Sequence, residues 1–172
     1  MIPIRSHSIY DHMNSLLNKF VQGKECWYTS VNASTGSILN LCLGGKVPSK
    51  KPAQNPNKSE DFCSFDPEIS VMVYCAWRIE TKDHVLGGWL DPNHPGGAME
   101  KSLSNIHGKT VTEFHLDFPS FDLTLTLSNM FSIKIFCDQI YVDSMKSNWY
   151  IVTNIVNFGV EQGCSPIIKH IK

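Results

Sequence analysis

Residues 113–137 alternate apolar and polar side chains through three consecutive runs, and this pattern limits the possible fold more than any other segment. Apolar side chains at every second position place one face of a strand in a core and the other in water. Three such runs separated by short turns are typical of an antiparallel sheet that covers a core on one side. The pattern predicts buried Leu123, Leu125, Ile133 and Ile135, and exposed Thr124, Thr126 and Lys134.

Two helices and several further strands are predicted outside this meander. Apolar residues at helical spacing indicate a helix over residues 8–22, ended by Gly23, and a shorter one over residues 98–107, ended by Gly108. Strand patterns cover residues 26–31, 37–43, 69–80, 84–90, 149–153 and 156–160.

Part of each helix and the sequence after it are similar, with a period of about 85 residues. We therefore predict one α+β domain over residues 1–172, built from two antiparallel β-meanders with one helix each, in related halves 1–95 and 96–172. Chance similarity is the alternative, because short matches of this kind are common. The matching elements are Ser15–Asn18 with Ser102–Asn105, Gly23-Lys24 with Gly108-Lys109, the leucines at 39, 41 and 43 with those at 123, 125 and 127, and Cys75 with Cys137.

Residues 44–61 interrupt these patterns. They contain three prolines and four lysines, a composition that favours an extended and solvated chain. We expect a mobile loop over this segment.

Charge and hydropathy exclude some classes of partner. The 15 basic and 16 acidic residues form no basic stripe, so we expect no nucleic-acid partner. The longest uncharged apolar run, near residues 69–77, has about half the length of a membrane helix, and the first eleven residues contain no apolar segment typical of a secretory signal. A cytoplasmic protein with no membrane partner is the expectation.

No set of residues has the spacing of a catalytic, cofactor or metal site. The seven histidines form no triplet with ligand spacing, and Gly44-Gly45-Lys46 lacks the remaining residues of a phosphate loop. Cys137 continues an inward-facing series, which predicts an inert buried thiol, and Asp117 and Asp122 are typical of a solvated face. We therefore expect no catalytic residue, cofactor or metal ligand.

Arg78 lies in an otherwise apolar strand and requires an anionic or carbonyl partner there. A structural ion pair with Asp91 or Glu80 is the simpler interpretation. An anchor for a partner or ligand is the alternative.

Four segments carry a family resemblance: residues 44–48 (GGKVP), 75–80 (CAWRIE), 121–127 (FDLTLTL) and 136–139 (FCDQ). They resemble a group of uncharacterised bacterial proteins of about this length, and the resemblance spans most of the chain. It implies a bacterial cytoplasmic protein and carries over no catalytic residue. By analogy, small helix-and-meander proteins are similar to the immunity proteins of contact-dependent toxin systems.

The function expected from these features is protein binding without catalysis, with a toxin as the specific partner. Loops that combine charge with aromatic area supply the candidate contacts. The alternative is a small-molecule binder or an enzyme with a site between the two halves. The candidate partner-binding residues are Trp89, Asp91 and His94 after one strand, and Asp138, Tyr141 and Asp143 after the meander.

The six cysteines generate the first prediction. They are widely spaced with no CxxC pair, which favours reduced thiols in a cytoplasmic protein. All six should react with a thiol reagent in denaturant without prior reduction, as measured by intact-mass spectrometry. A native disulfide, for example between Cys63 and Cys164, would contradict the expected compartment.

Overall fold

The computed structural model describes residues 4–31, 36–55, 58–138 and 147–171 of the chain. Two antiparallel sheets, of six and five strands, face each other across one hydrophobic core, and this confirms the predicted α+β class. The strands are β1 (Cys26–Ser30), β2 (Leu39–Pro48), β3 (Phe65–Val73), β4 (Ala76–Glu80), β5 (Val85–Gly88), β6 (Val111–Leu116), β7 (Leu123–Leu127), β8 (Phe131–Phe136), β9 (Ser147–Thr153), β10 (Val156–Glu161) and β11 (Ser165–His170).

Each sheet combines a meander from one half of the chain with strands from the other half. The six-stranded sheet has the order β1-β2-β3-β9-β10-β11, and the five-stranded sheet has the order β5-β4-β8-β7-β6. The predicted meanders are therefore present, but neither forms a sheet alone. Strand β3 ends the first meander and pairs on its other side with β9 of the second half. Strand β8 ends the second meander and pairs on its other side with β4 of the first half.

Two of the three α-helices in the described residues close the open sides between the sheets. Helix α1 (Ile4–Val21) packs against the edge strands β6 and β11, and α3 (Ala98–Ser104) packs against the edge strands β5 and β1. Helix α2 (Glu60–Ser64) is a single turn that begins at a Ser59 cap, where the hydroxyl accepts the Phe62 N–H at 3.2 Å. Sequence patterns missed this turn, and they also missed β11.

The single strand predicted over residues 69–80 is wrong, because the chain changes sheet in the middle of it. Strand β3 ends at Val73 and β4 begins at Ala76 in the other sheet. The inward alternation continues through the change, since both sheets face the same core and Cys75 is itself buried. Period-two alternation therefore gave no sign of the break.

The loop predicted over residues 44–61 is wrong at both ends. After a register shift at Gly44-Gly45, β2 resumes its pairing with β3, where Lys46, Val47 and Pro48 oppose Pro67, Asp66 and Phe65. At the other end, α2 already begins at Glu60. Glycine adopts the positive φ of 78° at Gly44 without the strain of a side chain, which lets the strand bend and continue.

The two halves repeat the same strand pairings residue by residue. The first strands, β1 and β6, carry the same register shift against β2 and β7, between residues 26 and 28 and between 111 and 113. Strands β4 and β9, which each pair with the meander of the other half, are equivalent as well. The indole N–H of Trp77 in β4 donates to Ser37 O at 2.8 Å, and the indole N–H of Trp149 in β9 donates to Phe121 O at 3.1 Å. The matching meander pairs are Leu39–Val73, Leu41–Val71 and Leu43–Ile69 in one half, and Leu123–Ile135, Leu125–Ile133 and Leu127–Phe131 in the other.

A reciprocal backbone ladder joins the halves where β1 and β6 begin. Glu25 and Thr110, which are equivalent in the two halves, form a bridge, and the flanking bonds occur in matched pairs. This reciprocity relates the halves by an approximate two-fold axis, in agreement with the period seen in the sequence. The ladder bonds are Gly23 N to Val111 O (2.8 Å), Gly108 N to Cys26 O (2.7 Å), Cys26 N to Lys109 O (2.8 Å) and Val111 N to Lys24 O (2.8 Å).

The buried meander residues agree with the sequence pattern. Leu123, Leu125, Ile133 and Ile135 are essentially inaccessible to solvent. The polar positions between them, however, are half-buried rather than exposed, because neighbouring strands on the same face shield them. Those positions are Thr124, Thr126 and Lys134.

Truncation of equivalent core leucines should destabilise the protein to a similar extent. We expect Leu125→Ala and Leu41→Ala each to lower the free energy of unfolding by about 2–5 kcal/mol, because each leaves a cavity in the shared core. Urea denaturation measures this, with the exposed Met130→Ala as a control expected to stay within about 0.5 kcal/mol. An unchanged unfolding midpoint for either leucine variant would contradict the register.

Candidate functional site

A small cleft opens where β5 ends beside β4 and β8. Its volume is about 260 Å³, and it brings residues from three strands and the following turn together. Half-buried Trp89 lies in it, next to Leu90, whose side chain is 84% exposed. The other lining residues are Ala76, Trp77, Arg78, Val85, Gly87, Gly88, Asp91 and Phe136.

Two hydrogen bonds of its backbone hold Trp89 in place. Its N–H donates to Trp77 O at 3.0 Å, and its carbonyl accepts the Ser37 hydroxyl. The side chain packs against the core, so Trp89 partly caps the core as well as lining the cleft. This anchoring fixes the direction in which the chain presents Leu90.

Asp91 closes the turn after β5. Its Oδ2 accepts the Gly88 N–H at 2.7 Å, and its own N–H donates to Gly88 O at 3.1 Å. A charged acceptor for a backbone N–H makes a strong hydrogen bond that fixes the turn. The structure therefore gives Asp91 a clear structural role at the wall of the cleft.

Asp138 reaches the same region from the end of β8. Its Oδ1 accepts the N–H of Ala76, which lines the cleft, at 3.3 Å, and its side chain is exposed. The structure thus brings Asp138 towards Trp89 and Asp91, although they are far apart in sequence. The predicted contacts Tyr141 and Asp143 lie outside the described residues.

His94 does not line this cleft. It is exposed in the turn before α3, with its Nδ1 3.1 Å from Pro95 O. Its neighbours Asn93 and Pro95 line a second, larger cleft instead.

Arg78 forms the structural ion pair that the sequence suggested, with Glu80 rather than Asp91. Its Nε lies 2.8 Å from Glu80 Oε2, and Lys134 Nζ lies 2.7 Å from Glu80 Oε1. The guanidinium also lies over the Phe136 ring, 5.0 Å from its centroid. Burial alone would raise the pKa of Glu80, but hydrogen bonds from Lys134 and Arg78 outweigh it and hold that pKa below its usual value.

The buried thiols have the character of core residues. Burial raises the pKa of Cys26 and of Cys42 to about 12, and a hydrogen bond with Cys75 together with burial raises the pKa of Cys137. A thiol with a raised pKa carries little thiolate and is a weak nucleophile. All six cysteines are free thiols in the structure.

The two carboxylates considered for acid–base work have separate partners. Asp122 Oδ1 accepts the Cys137 N–H at 2.6 Å, and Asp117 Oδ1 lies 3.2 Å from His115 Nε2. Within the described ranges, no group of three or more His, Cys, Asp or Glu side chains is placed to hold a metal ion. In those same ranges, no helix is long and apolar enough to cross a bilayer.

The larger cleft, of about 770 Å³, lies between β1 and α3. One wall comes from the chain before residue 95 and the other from α3, so the two halves meet there. Its lining residues are Tyr28, Thr29, Ser30, Val31, Asn55, Lys58, Ser59, Asn93, Pro95, Glu100, Leu103, Ser104 and His107.

Sequence reasoning missed the most exposed apolar residues of the small cleft. Val85 is 63% exposed and Leu90 is 84% exposed, yet the pattern over residues 84–90 predicts only a strand and does not indicate which side faces water. The alternation predicts Phe136 on the polar side of the meander, and only the pairing of β4 with β8 places it beside Arg78.

Comparison with known proteins gives no relative from which to transfer a function. Scans against protein-family models, curated proteins and solved structures each found no match to this chain. The resemblance to a group of bacterial proteins stays a prediction. Function is therefore inferred from the chain's own residues.

The ion cluster predicts a pH-dependent contribution to stability. Because the folded state lowers the pKa of Glu80, this carboxylate stabilises the fold above its unfolded pKa of about 4.5, and the contribution is lost as the pH falls through the folded pKa. Glu80→Gln should therefore lower the free energy of unfolding at about pH 7 more than at about pH 3.

Urea denaturation at both pH values measures this difference. The control is Glu113→Gln on the same sheet, since Glu113 is exposed and makes no ion pair with the described residues. An effect of Glu80→Gln that is equal at both pH values would contradict the role assigned to the cluster.

Proposed function

We propose that this chain is a non-catalytic binding protein that engages a protein partner through the Trp89 surface, defined as Val85, Trp89, Leu90 and Phe136. The observation that carries the proposal is the exposure of Leu90 and Val85 beside a half-buried tryptophan in one cleft. Tryptophan is enriched in binding hot spots, and the contacts around such a residue exclude water from it.

The surface is organised before any partner arrives. The Asp91–Gly88 turn and the two backbone bonds of Trp89 hold the segment in one conformation. Little ordering entropy then has to be lost on binding, and this favours affinity.

Charges around the Trp89 surface define the kind of partner it fits. Glu80 pairs with both Arg78 and Lys134, which leaves one net positive charge on one side, whereas Asp138 is an exposed carboxylate on the other. An apolar centre between a net positive cluster and an exposed carboxylate suits a partner with a shallow apolar pocket and a rim that carries charges of both signs.

A bacterial toxin is the partner class that we propose, which would make this chain an immunity-type protein. The resemblance to bacterial proteins and the analogy with immunity proteins support that choice. The reducing cytoplasm is the compartment that we propose, because six free thiols suit it.

The proposal predicts that the Trp89 surface is required for partner binding and for protection. Tagged wild-type protein, a Val85→Ser/Leu90→Ala variant and Met130→Ala would be compared, since Met130 is also a large exposed apolar side chain, at 70%. We expect wild type and Met130→Ala to recover the same partner from source cells, and the double variant to bind that purified partner at least about tenfold more weakly.

Co-expression with the product of a neighbouring toxin gene tests the partner class. Wild type and Met130→Ala should restore growth, and the double variant should not. Equal binding of one partner by all three proteins would place the interface elsewhere, and recovery of no partner by any of them would contradict protein binding as the function.

A further inference from the structure

The edge of β6 is closed by side chains of α1. Asn14, Asn18 and Gln22 are four residues apart, so they share one face of the helix and follow the strand. An amide side chain can accept or donate, and these three satisfy backbone groups that would otherwise form an open sheet edge. The bonds are Leu116 N to Asn14 Oδ1 (3.2 Å), Phe114 N to Asn18 Oδ1 (3.3 Å) and Gln22 Nε2 to Thr112 O (3.0 Å).

Strand β1 is the equivalent of β6, so its backbone presents the same groups. Phe114 pairs with Leu125, and its N–H faces away from β7 towards Asn18. Thr29 holds the equivalent position opposite Leu41. Residues alternate in an antiparallel ladder between bonded and non-bonded pairs, so the N–H and C=O of Thr29 also face away from the neighbouring strand.

Helix α3 does not close the β1 edge as α1 closes the β6 edge. Its apolar side chains, Met99 and Leu103, are buried in the core. The polar side chains of α3 bond to their own helix instead: Ser102 Oγ donates to Met99 O at 2.8 Å and Ser104 Oγ to Lys101 O at 2.7 Å. Within the described residues, no hydrogen bond joins a side chain of α3 to the backbone of β1.

The larger cleft occupies the space that this difference creates. Helix α1 has 18 residues and α3 has seven, so the first turns of α1 have no counterpart beside β1. On the inward side of β1, Thr29 also occupies the position that the bulkier Phe114 occupies in β6, so β1 fills less of this space. The result is a cleft of about 770 Å³ with β1 as its floor, α3 as one wall and the chain near Lys58 as the other.

We propose that this cleft binds an extended segment of a partner polypeptide, which adds to the six-stranded sheet beside β1. Outward N–H and C=O groups on one strand are what a peptide backbone pairs with in strand addition. Lys58 on one wall and Glu100 on the other offer charges of both signs to its side chains. The cleft shares no lining residue with the small cleft, so this proposal does not depend on the Trp89 surface.

Amide hydrogen exchange measured by NMR tests the open edge without a ligand. The Phe114 N–H, bonded to Asn18, should exchange at least about tenfold more slowly than the Thr29 N–H in the free protein. Equal protection of both amides would overturn the proposal, because β1 would then already have a partner.

A displayed library of random linear peptides, selected against the whole chain, tests the occupant. Thr29→Pro removes the outward N–H without breaking a bond to β2, and Thr29→Ala keeps that N–H as its control. Ser104→Trp obstructs the cleft from α3, and its control is Lys19→Trp at an exposed position of α1 that does not line the cleft. If Thr29→Pro does not fold, the comparison of Ser104→Trp with Lys19→Trp still tests the proposal.

Selected peptides should bind wild type, Thr29→Ala and Lys19→Trp alike, and should bind Thr29→Pro and Ser104→Trp at least about tenfold more weakly. N-methylation along the peptide should weaken binding at every second residue, the period of a paired strand. Failure to select a peptide, sensitivity with a helical period, or equal binding by all variants would overturn the proposal. So would a wild-type dimer in sedimentation that Thr29→Pro abolishes, since the occupant would then be a second copy of this chain.

Discussion

The backbone ladder between residues 23–26 and 108–111 is the joint on which the rest of the architecture depends. It ties the first strands of the two halves together, and its reciprocal bonds fix the halves in one relative orientation. Each helix can then close the side of the sandwich that the opposite half leaves open. Four backbone bonds without side-chain specificity set this arrangement, so the surrounding side chains are free to differ between the halves.

That freedom is most visible on the outer faces of the two sheets. Arg78 and Phe136 lie side by side on the five-stranded sheet, and the equivalent positions of the six-stranded sheet hold Tyr150 and Tyr74, packed edge to face with centroids 6.4 Å apart. The neighbouring Lys134 corresponds to Met72 by the same register. One scaffold therefore carries a charged face and an aromatic face, and fold symmetry does not imply two equal binding surfaces.

The sequence was informative where burial depends on local alternation, and uninformative where it depends on pairing across the chain. Leu125 and Ile133 could be assigned to the core because one strand's pattern decides their side. The change of sheet between β3 and β4 gave no signal, since both sheets face the same core. Trp89 and Asp138 could be named as contacts, but their approach depends on the β4–β8 pairing, and Leu90 reads as an ordinary strand residue.

The exchange of strands between the halves also sets an order of events during synthesis. The outer edge of β3 leaves the ribosome long before β9, its eventual neighbour, has been made. The hairpin of β4 and β5 likewise has to wait for β8. A nascent chain therefore carries unpaired strands with apolar faces until β8 and β9 have been made, and such strands are prone to aggregation. The amino-terminal half is a template that only β8 and β9 of the other half can complete.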